Sequence, residues 1–151
     1  EEGVTLTLLV GELAGREAPT LTFSPLVGVD LAAEREATLT LPLRPEFEYA
    51  LLPLEGAPSL EGEALAVDEL AYLGRGRDAM ILALPAGARV LLIGGEPLGE
   101  EVLIWWNFVG HSKAEIVEAQ REWEAGSERF GRVAGFSDDE QLMPPPLPWR
   151  E

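Results

Sequence analysis

The sequence predicts an all-β domain followed by one C-terminal α-helix and a proline-rich tail. Short segments in which apolar and polar residues alternate recur from residue 4 to residue 108, as expected for half-buried strands. Glycine and proline turns separate these segments about every eight to twelve residues, which is typical of a sandwich or closed barrel. One capping box, from Ser112 to Glu115, marks the start of the single clear helix.

About ten strands are expected before the helix. They cover residues 4–10, 20–24, 27–31, 37–43, 47–51, 60–67, 70–73, 79–84, 89–93 and 102–108. Most alternate strictly, but residues 89–93 are continuously apolar after Arg89, as in a strand that is covered on both faces. Closure into a barrel would also cover edge strands that otherwise invite aggregation.

The helix has recognisable ends. The Ser112 hydroxyl is expected to accept the amide of Glu115, and the Glu115 carboxylate to reach back to the serine amide. Gly126 suits the left-handed residue that often follows a helix. Residues of the packed face then recur at helical spacing: Ile116, Ala119, Gln120 and Trp123.

These signals divide the chain into three parts. We expect a β-barrel over residues 1–110 and a helix over residues 111–126 that packs on the barrel. Residues 127–151 should form an extended tail, because the segment 143–149 (MPPPLPW) favours the polyproline conformation.

The charge of the chain excludes several classes of protein. The 151 residues carry 27 acidic and 11 basic side chains, a net charge of −16. Such a surface repels phosphate backbones and anionic lipid, so we expect neither nucleic-acid nor membrane binding. No apolar run approaches the roughly 20 residues that span a bilayer. The sequence starts with no signal-peptide pattern, and we therefore expect a cytoplasmic protein.

Residue usage is also biased. Lys113 is the only lysine among the 11 basic residues, and Asn107 is the only asparagine. Few thermolabile side chains with many arginines and prolines are typical of thermophile proteins, although a GC-rich genome gives the same bias. The absence of cysteine excludes disulfides, thiolate metal sites and thiol nucleophiles.

Candidate catalytic groups are few. His111 is the only histidine, too few for a histidine-rich metal site or a Ser-His-Asp triad. Glu46 and Glu48 are expected on one strand face opposite Phe47, where a solvated surface is a simpler interpretation than an acid–base pair. The run 138–140 (DDE) is interpreted as a solvated loop. We therefore assign no catalytic, cofactor-binding or metal-binding residue to this chain.

Aromatic residues form the most distinctive surface candidate. The segment 105–108 (WWNF) should point Trp105 and Trp106 to opposite faces of a strand, with Phe108 on the side of Trp106. One ring set can fill the core, and the other must be covered by the helix or by a partner. Trp105, Trp106, Phe108 and the tail residue Trp149 are therefore predicted as partner-facing or helix-packing aromatics.

Several segments together resemble a known family. They are residues 91–100 (LLIGGEPLGE), residues 105–109 (WWNFV), the helix with Glu115, Ile116 and Trp123, and residues 129–131 (RFG). In this order and spacing they are similar to the C-terminal domain of the pirin family, and the resemblance covers nearly the whole chain. Pirins are bicupins, with two jelly-roll barrels in tandem. The resemblance therefore implies a cupin-like double-stranded β-helix here.

The resemblance also implies that the two barrels have different roles. The family holds one iron on three histidines and a glutamate in its N-terminal barrel, and no residue of this chain matches that motif. The first hypothesis is thus a metal-free module that supports a metal-bearing N-terminal half. The alternatives are the inert part of a quercetin 2,3-dioxygenase-type enzyme and a stand-alone barrel that binds a small ligand. The implied partner is the metal-bearing half, or else a second copy in a weak homodimer whose affinity rises with salt.

Overall fold

The computed structural model describes residues 3–135 and 141–149. The chain forms two compact units, Glu1–Pro97 and Leu98–Glu151. The described part of the first unit holds ten strands: β1 Val4–Leu13, β2 Arg16–Glu17, β3 Leu26–Ala33, β4 Ala37–Pro42, β5 Glu48–Glu55, β6 Ser59–Leu60, β7 Glu63–Ala64, β8 Ala71–Gly74, β9 Ala79–Leu84 and β10 Arg89–Gly95. The second holds β11 Leu103–Trp105, β12 Phe108–Gly110, the helix α1 Lys113–Glu124 and a short 3-10 helix, Glu128–Phe130.

The first unit is built from two antiparallel sheets. One has six strands in the order β2-β1-β3-β10-β5-β8, and the other has four in the order β4-β9-β6-β7. The inward residues of both sheets share one hydrophobic core, so the sheets face each other as the layers of a sandwich. The all-β prediction with a single α-helix is confirmed for the described residues.

Three predicted strands differ from the structure. Residues 20–24 form a loop, in which the Thr20 hydroxyl donates to the Leu9 carbonyl oxygen at 2.8 Å. The predicted strand 60–67 is mostly the hairpin β6–β7, because Glu61 and Gly62 form its two-residue turn at φ 51° and 87°. Alternation alone does not show where a chain reverses.

The third difference concerns the aromatic segment. The predicted strand 102–108 is a hairpin, in which Trp105 of β11 pairs with Phe108 of β12. Trp106 and Asn107 make the turn, and Trp106 takes a positive φ of 51°. The prediction that Trp106 and Phe108 share one face of a continuous strand is therefore wrong, because the chain reverses between them.

The helix ends follow the sequence signals with one change. The Ser112 Oγ accepts the Glu115 amide at 3.2 Å, but the Glu115 Oε2 accepts the amide of His111, at 3.0 Å, where the prediction named Ser112. The amide of Gly126, which has a φ of 66°, donates to the Trp123 carbonyl oxygen. The amide of Ser127 donates to the Glu122 carbonyl oxygen. These two bonds form the Schellman motif expected at a glycine-ended helix.

The replacement Ser112→Ala should lower the free energy of unfolding of the second unit by about 1 kcal/mol, because an N-terminal amide loses its acceptor. All four tryptophans lie in this unit, so the denaturant midpoint of tryptophan fluorescence is the measurement. Ser112→Asn retains a capping oxygen and should leave the midpoint close to that of the wild type. Equal losses in both variants would show that the cap contributes nothing.

An ion pair joins two strands on the outward side of the six-stranded sheet. The guanidinium of Arg89 donates to the Asp30 carboxylate through two of its nitrogens, Nη2 to Oδ2 at 2.6 Å and Nε to Oδ1 at 3.0 Å. Hydrogen bonding to Arg89 lowers the pKa of Asp30 below its ordinary value of 3.8. The bidentate geometry fixes β3 against β10 at one end of their ladder.

The ion pair makes stability depend on pH. Because folding depresses the pKa of Asp30, its stabilisation is complete above the unfolded value and is lost as the pH falls through the folded value. Asp30→Asn should therefore be less stable than the wild type at pH 7, and the difference should shrink in acid below about pH 4. Denaturant unfolding at a series of pH values measures it. In an Arg89→Gln background the difference should disappear; its persistence there would contradict the role of the pair.

Two further predictions concern membrane-spanning segments and the acidic run 138–140. Among the described residues, no helix combines the length and the apolar character needed to cross a bilayer. The acidic run 138–140 lies outside the described residues.

Candidate functional site

The space between the two sheets is where a barrel of this kind would hold a ligand. It is filled by side chains of the chain itself. The largest of them have under 2% of their surface exposed or are at that limit: Leu31, Leu39, Phe47, Leu51, Met80, Leu82, Leu84 and Leu92. Apart from the Met80 sulfur, these groups are hydrocarbon, and they offer no nitrogen or carboxylate to a cation. The interior is a packed core.

The mouth of the barrel carries a small open pocket. It has a volume of about 370 Å³ and is lined by Glu12, Leu13, Ala14, Pro42, Leu43, Arg44 and Tyr49. The Tyr49 hydroxyl reaches the rim and accepts the backbone amide of Arg44 at 2.8 Å. Burial raises the pKa of this hydroxyl, so Tyr49 stays a neutral hydrogen-bonding group at physiological pH.

Arg44 is the cation at the mouth of the barrel, and its guanidinium is already engaged by neighbouring side chains. Its Nε donates to the Glu46 Oε1 at 2.7 Å, and its guanidinium carbon lies 4.3 Å from the ring centre of Phe47. A second carboxylate, that of Glu96, lies 3.9 Å from its Nη2. Hydrogen bonds from its own backbone amide and then from Arg44 lower the pKa of Glu46, so this carboxylate is a fixed counter-ion.

The strand face that was expected to carry both Glu46 and Glu48 is not formed. Glu46 lies in the turn before β5, whereas Glu48 is the first residue of that strand, so they do not share a strand face. His111 is exposed, and its Nδ1 lies 3.3 Å from both the Glu101 carbonyl oxygen and the Glu100 Oε2. Across residues 3–135 and 141–149, no three histidine, aspartate or glutamate side chains gather as a metal-binding group.

The structure places all four predicted aromatics in one hydrophobic cluster of the second unit. Phe108 is buried at 5% exposure beside Ile116 and Ala119 of α1, and Trp105, Trp106 and Trp149 pack around them partly buried. Trp105 and Trp149 meet edge to face with ring centres 6.0 Å apart. The tail therefore docks on its own unit through Trp149. Whether this cluster also faces a partner stays a prediction.

Sequence reasoning missed the contacts of Phe130 with these aromatic residues. Trp106, Phe108, Phe130 and Trp123 form a closed cycle of ring contacts, with successive ring centres 5.4, 6.2, 5.3 and 5.8 Å apart. Trp123 was predicted on the packed face of the helix, but nothing in the local pattern around Phe130 indicated its contacts. The contacts of Trp123 with Trp106 and with Phe130 are edge to face, and such pairs add stability beyond the area that they bury.

An open cleft lies beside this aromatic cycle. It has a volume of about 660 Å³, and its lining includes Trp106, Trp123, Phe130, Gln141 and Leu142. The Trp123 Nε1 donates to the Leu142 carbonyl oxygen at 2.8 Å, and the Gln141 side chain donates to the Trp123 carbonyl oxygen at 2.6 Å. The polar groups of Trp123 are thus already engaged within the chain. The cleft offers an incoming ligand aromatic faces more than free hydrogen bonds.

Comparison with known proteins identifies the family. Residues 28–131 match the family described as the pirin C-terminal cupin domain. A Pseudomonas aeruginosa protein, named provisionally as a quercetin 2,3-dioxygenase, is 57% identical over 150 residues; the match covers 99% of this chain and 47% of that protein. A pirin-like protein of Caulobacter vibrioides is 33% identical over 82% of this chain and 42% of its own length.

A solved structure agrees with these matches. The crystal structure of a quercetin 2,3-dioxygenase from Acinetobacter baumannii superposes with a TM-score of 0.88 at 36% identity. The superposition covers all of this chain and 50% of that one. The chain thus spans about half the length of these relatives. The predicted cupin-like fold and the resemblance on which it was based are confirmed.

Proposed function

The chain belongs to the pirin family as a C-terminal cupin domain, and we propose that it acts as a metal-free module that supports a metal-bearing cupin half. In this proposal the metal-bearing half binds the iron and carries the chemistry. The present chain contributes stability and a docking surface. Its partner is that half, and no cofactor is assigned to the chain itself.

The packed interior carries the proposal. A cupin metal site needs several nitrogen or carboxylate ligands that converge inside the barrel. The inward positions here are aliphatic or aromatic, and Val29, Leu51 and Leu92 among them have no exposed surface. Among the buried side chains that the structure describes in the first unit, only Tyr49 carries an oxygen, and its hydroxyl accepts the Arg44 amide. The residues present do not fit an iron centre.

The relatives support a division between two halves. They are about twice as long as this chain, so each carries a further segment large enough for a second barrel. Two of them are named as quercetin 2,3-dioxygenases, one provisionally. We extend the proposal accordingly: the whole protein oxidises a flavonol, and the oxidation takes place in the half outside this chain.

A stand-alone ligand-binding barrel is less well supported. Such proteins keep an internal cavity that encloses most of the ligand. Here the interior is full, and the two pockets described above are open clefts at the mouth of the first unit and beside the aromatic cycle of the second.

Two experiments test the supporting role. The coding sequence that precedes the Glu1 codon should encode a strand with a His-x-His motif, and a reading frame without any such motif would contradict the proposal. The segment encoded there should then be produced alone and together with this chain. With the chain present it should melt at a higher temperature and retain more iron through gel filtration, because a bound partner stabilises the folded state. Identical melting and iron retention would also contradict the proposal.

A further inference from the structure

The outward face of the six-stranded sheet is unusually apolar. Cross-strand register places Ile93 of β10 beside Ala50 of β5, and Ala50 beside Tyr72 of β8. The neighbouring pair Leu92 and Leu51 has no exposed surface and points into the core, so alternation turns Ile93, Ala50 and Tyr72 to the outward side. Ala50 is itself covered there, at 6% exposed, between the two larger side chains. The next row of the same face pairs Leu91 with Leu52, both half-buried.

The exposure of this face is substantial. Tyr72 is 66% exposed and Ile93 42%. The pattern fits the segment 90–93, which is continuously apolar, as is typical of a strand covered on both faces. One face of β10 is covered by the core, whereas on the other face Ile93 is exposed and Leu91 is half-buried.

The other sheet supplies the contrast. On the outward face of the four-stranded sheet, Ile81 is 46% exposed but pairs with Thr40, and Ala83 pairs with Thr38. Threonines therefore separate the apolar side chains there, as expected for a face that meets water. On the six-stranded sheet, by contrast, the row of Ile93, Ala50 and Tyr72 and the pair Leu91 and Leu52 contain no threonine.

We infer that the outward face around Leu52, Tyr72, Leu91 and Ile93 is the surface on which the metal-bearing half docks. This inference rests on the proposed function and names the surface that function uses. Contiguous exposed apolar patches of this kind mark interaction sites. The ion pair between Arg89 and Asp30 lies on the same face and borders the apolar residues. The two charges of this pair compensate each other.

Two observations favour the metal-bearing half over a second copy of this chain. Each copy carries a net charge of −16, and two copies would bring like charges together around an uncharged patch. The relatives carry about as much chain again outside the matched half, which supplies a partner at high effective concentration. A homodimer through this face is therefore an outcome to be tested against the inference.

Single cysteines test the surface directly, because the chain contains none of its own. We would introduce Ile93→Cys and Tyr72→Cys, with Ile81→Cys as a control of similar exposure on the other sheet. Each variant is labelled with a maleimide, once as this chain alone and once in the protein that also contains the metal-bearing half. Labelling at 93 and 72 should slow by about tenfold or more in the longer protein, because a covered thiol reacts only when the cover opens. Labelling at 81 should not change.

Other outcomes are equally informative. Equal labelling rates at 93 in both proteins would overturn the inference. Labelling that slows at 93, but not at 81, as the concentration of this chain alone is raised would assign the face to a second copy, and would overturn it too. The iron content of the longer protein separates the two proposals: bound iron with unchanged labelling leaves the supporting role intact, whereas absence of iron contradicts the proposed function.

Discussion

Replacing Phe47 by alanine is expected to lower the free energy of unfolding of the first unit by about 3–5 kcal/mol. The ring is only 2% exposed and lies 5.9 Å, centre to centre, from that of Tyr49. Truncation loses the burial of the ring and leaves a cavity that close-packed neighbours cannot fill. If the barrel instead held an open ligand cavity, its lining could relax into that space and the loss would be smaller.

A second phenylalanine provides the control. Phe23 lies in the loop 20–24 and is 94% exposed, so Phe23→Ala should change stability by no more than about 0.5 kcal/mol. Denaturant unfolding followed by far-ultraviolet circular dichroism reports mainly on the strands, whereas the tryptophans report on the second unit. A loss below about 1.5 kcal/mol for Phe47→Ala would contradict the description of the interior as a packed core.

Replacing Gly11 by alanine should be similarly damaging, with an expected loss of about 3–5 kcal/mol. Gly11 has a φ of 74°, and a Cβ there would lie 1.6 Å from the Leu26 carbonyl oxygen. Backbone atoms cannot yield as a flexible side chain can, so β1 would have to separate from β3 where Gly11 pairs with Val27. This segment also lines up Glu12 and Leu13 for the pocket at the mouth of the barrel.

Gly15 distinguishes the cost of a positive φ from the cost of a steric clash. Its φ of 73° matches that of Gly11, but a Cβ there would meet nothing within 4 Å. Gly15→Ala should therefore cost only the conformational strain of about 1–2 kcal/mol. Denaturant midpoints of the two variants give the comparison. If they coincide, close approach of the strands at Gly11 does not limit substitution.

Regular elements could be predicted from the sequence because their packing follows a simple period. The strand β9 has the predicted bounds, residues 79–84, since Met80, Leu82 and Leu84 alternate cleanly into the core. The helix start and end were also predictable, because Ser112 and Gly126 satisfy backbone groups that every helix leaves open.

Reversals and tertiary contacts could not be predicted in the same way. Trp106 and Asn107 form a hairpin turn without the glycine that usually marks one, and the positive φ of Trp106 is held by contacts with Phe108 and Trp123. Leu21 and Phe23 alternate as in a strand, yet they lie in a loop and are exposed. Alternation records the residue types available for burial, whereas pairing with a neighbouring strand decides whether burial occurs.

For the candidate site, the sequence mainly indicated which kinds of site were not to be expected. A single histidine and no cysteine argued against a metal centre before the fold was described. The exposed row on the six-stranded sheet needed the register of β10, β5 and β8, which no local pattern gives. The continuously apolar segment 90–93 was nevertheless its signal in the sequence.

The proposal that this chain is a metal-free supporting module is tested by iron content and flavonol oxidation, measured on this chain alone and on the protein that includes the metal-bearing half. Both proteins should be purified without a histidine tag, which would itself bind metal, and analysed by plasma mass spectrometry and by oxygen consumption with quercetin. We expect the chain alone to contain no stoichiometric iron, manganese, nickel or copper and to oxidise no quercetin, whereas the longer protein should contain iron and oxidise quercetin. A stoichiometric transition metal in the chain alone, together with quercetin oxidation, would contradict the proposal.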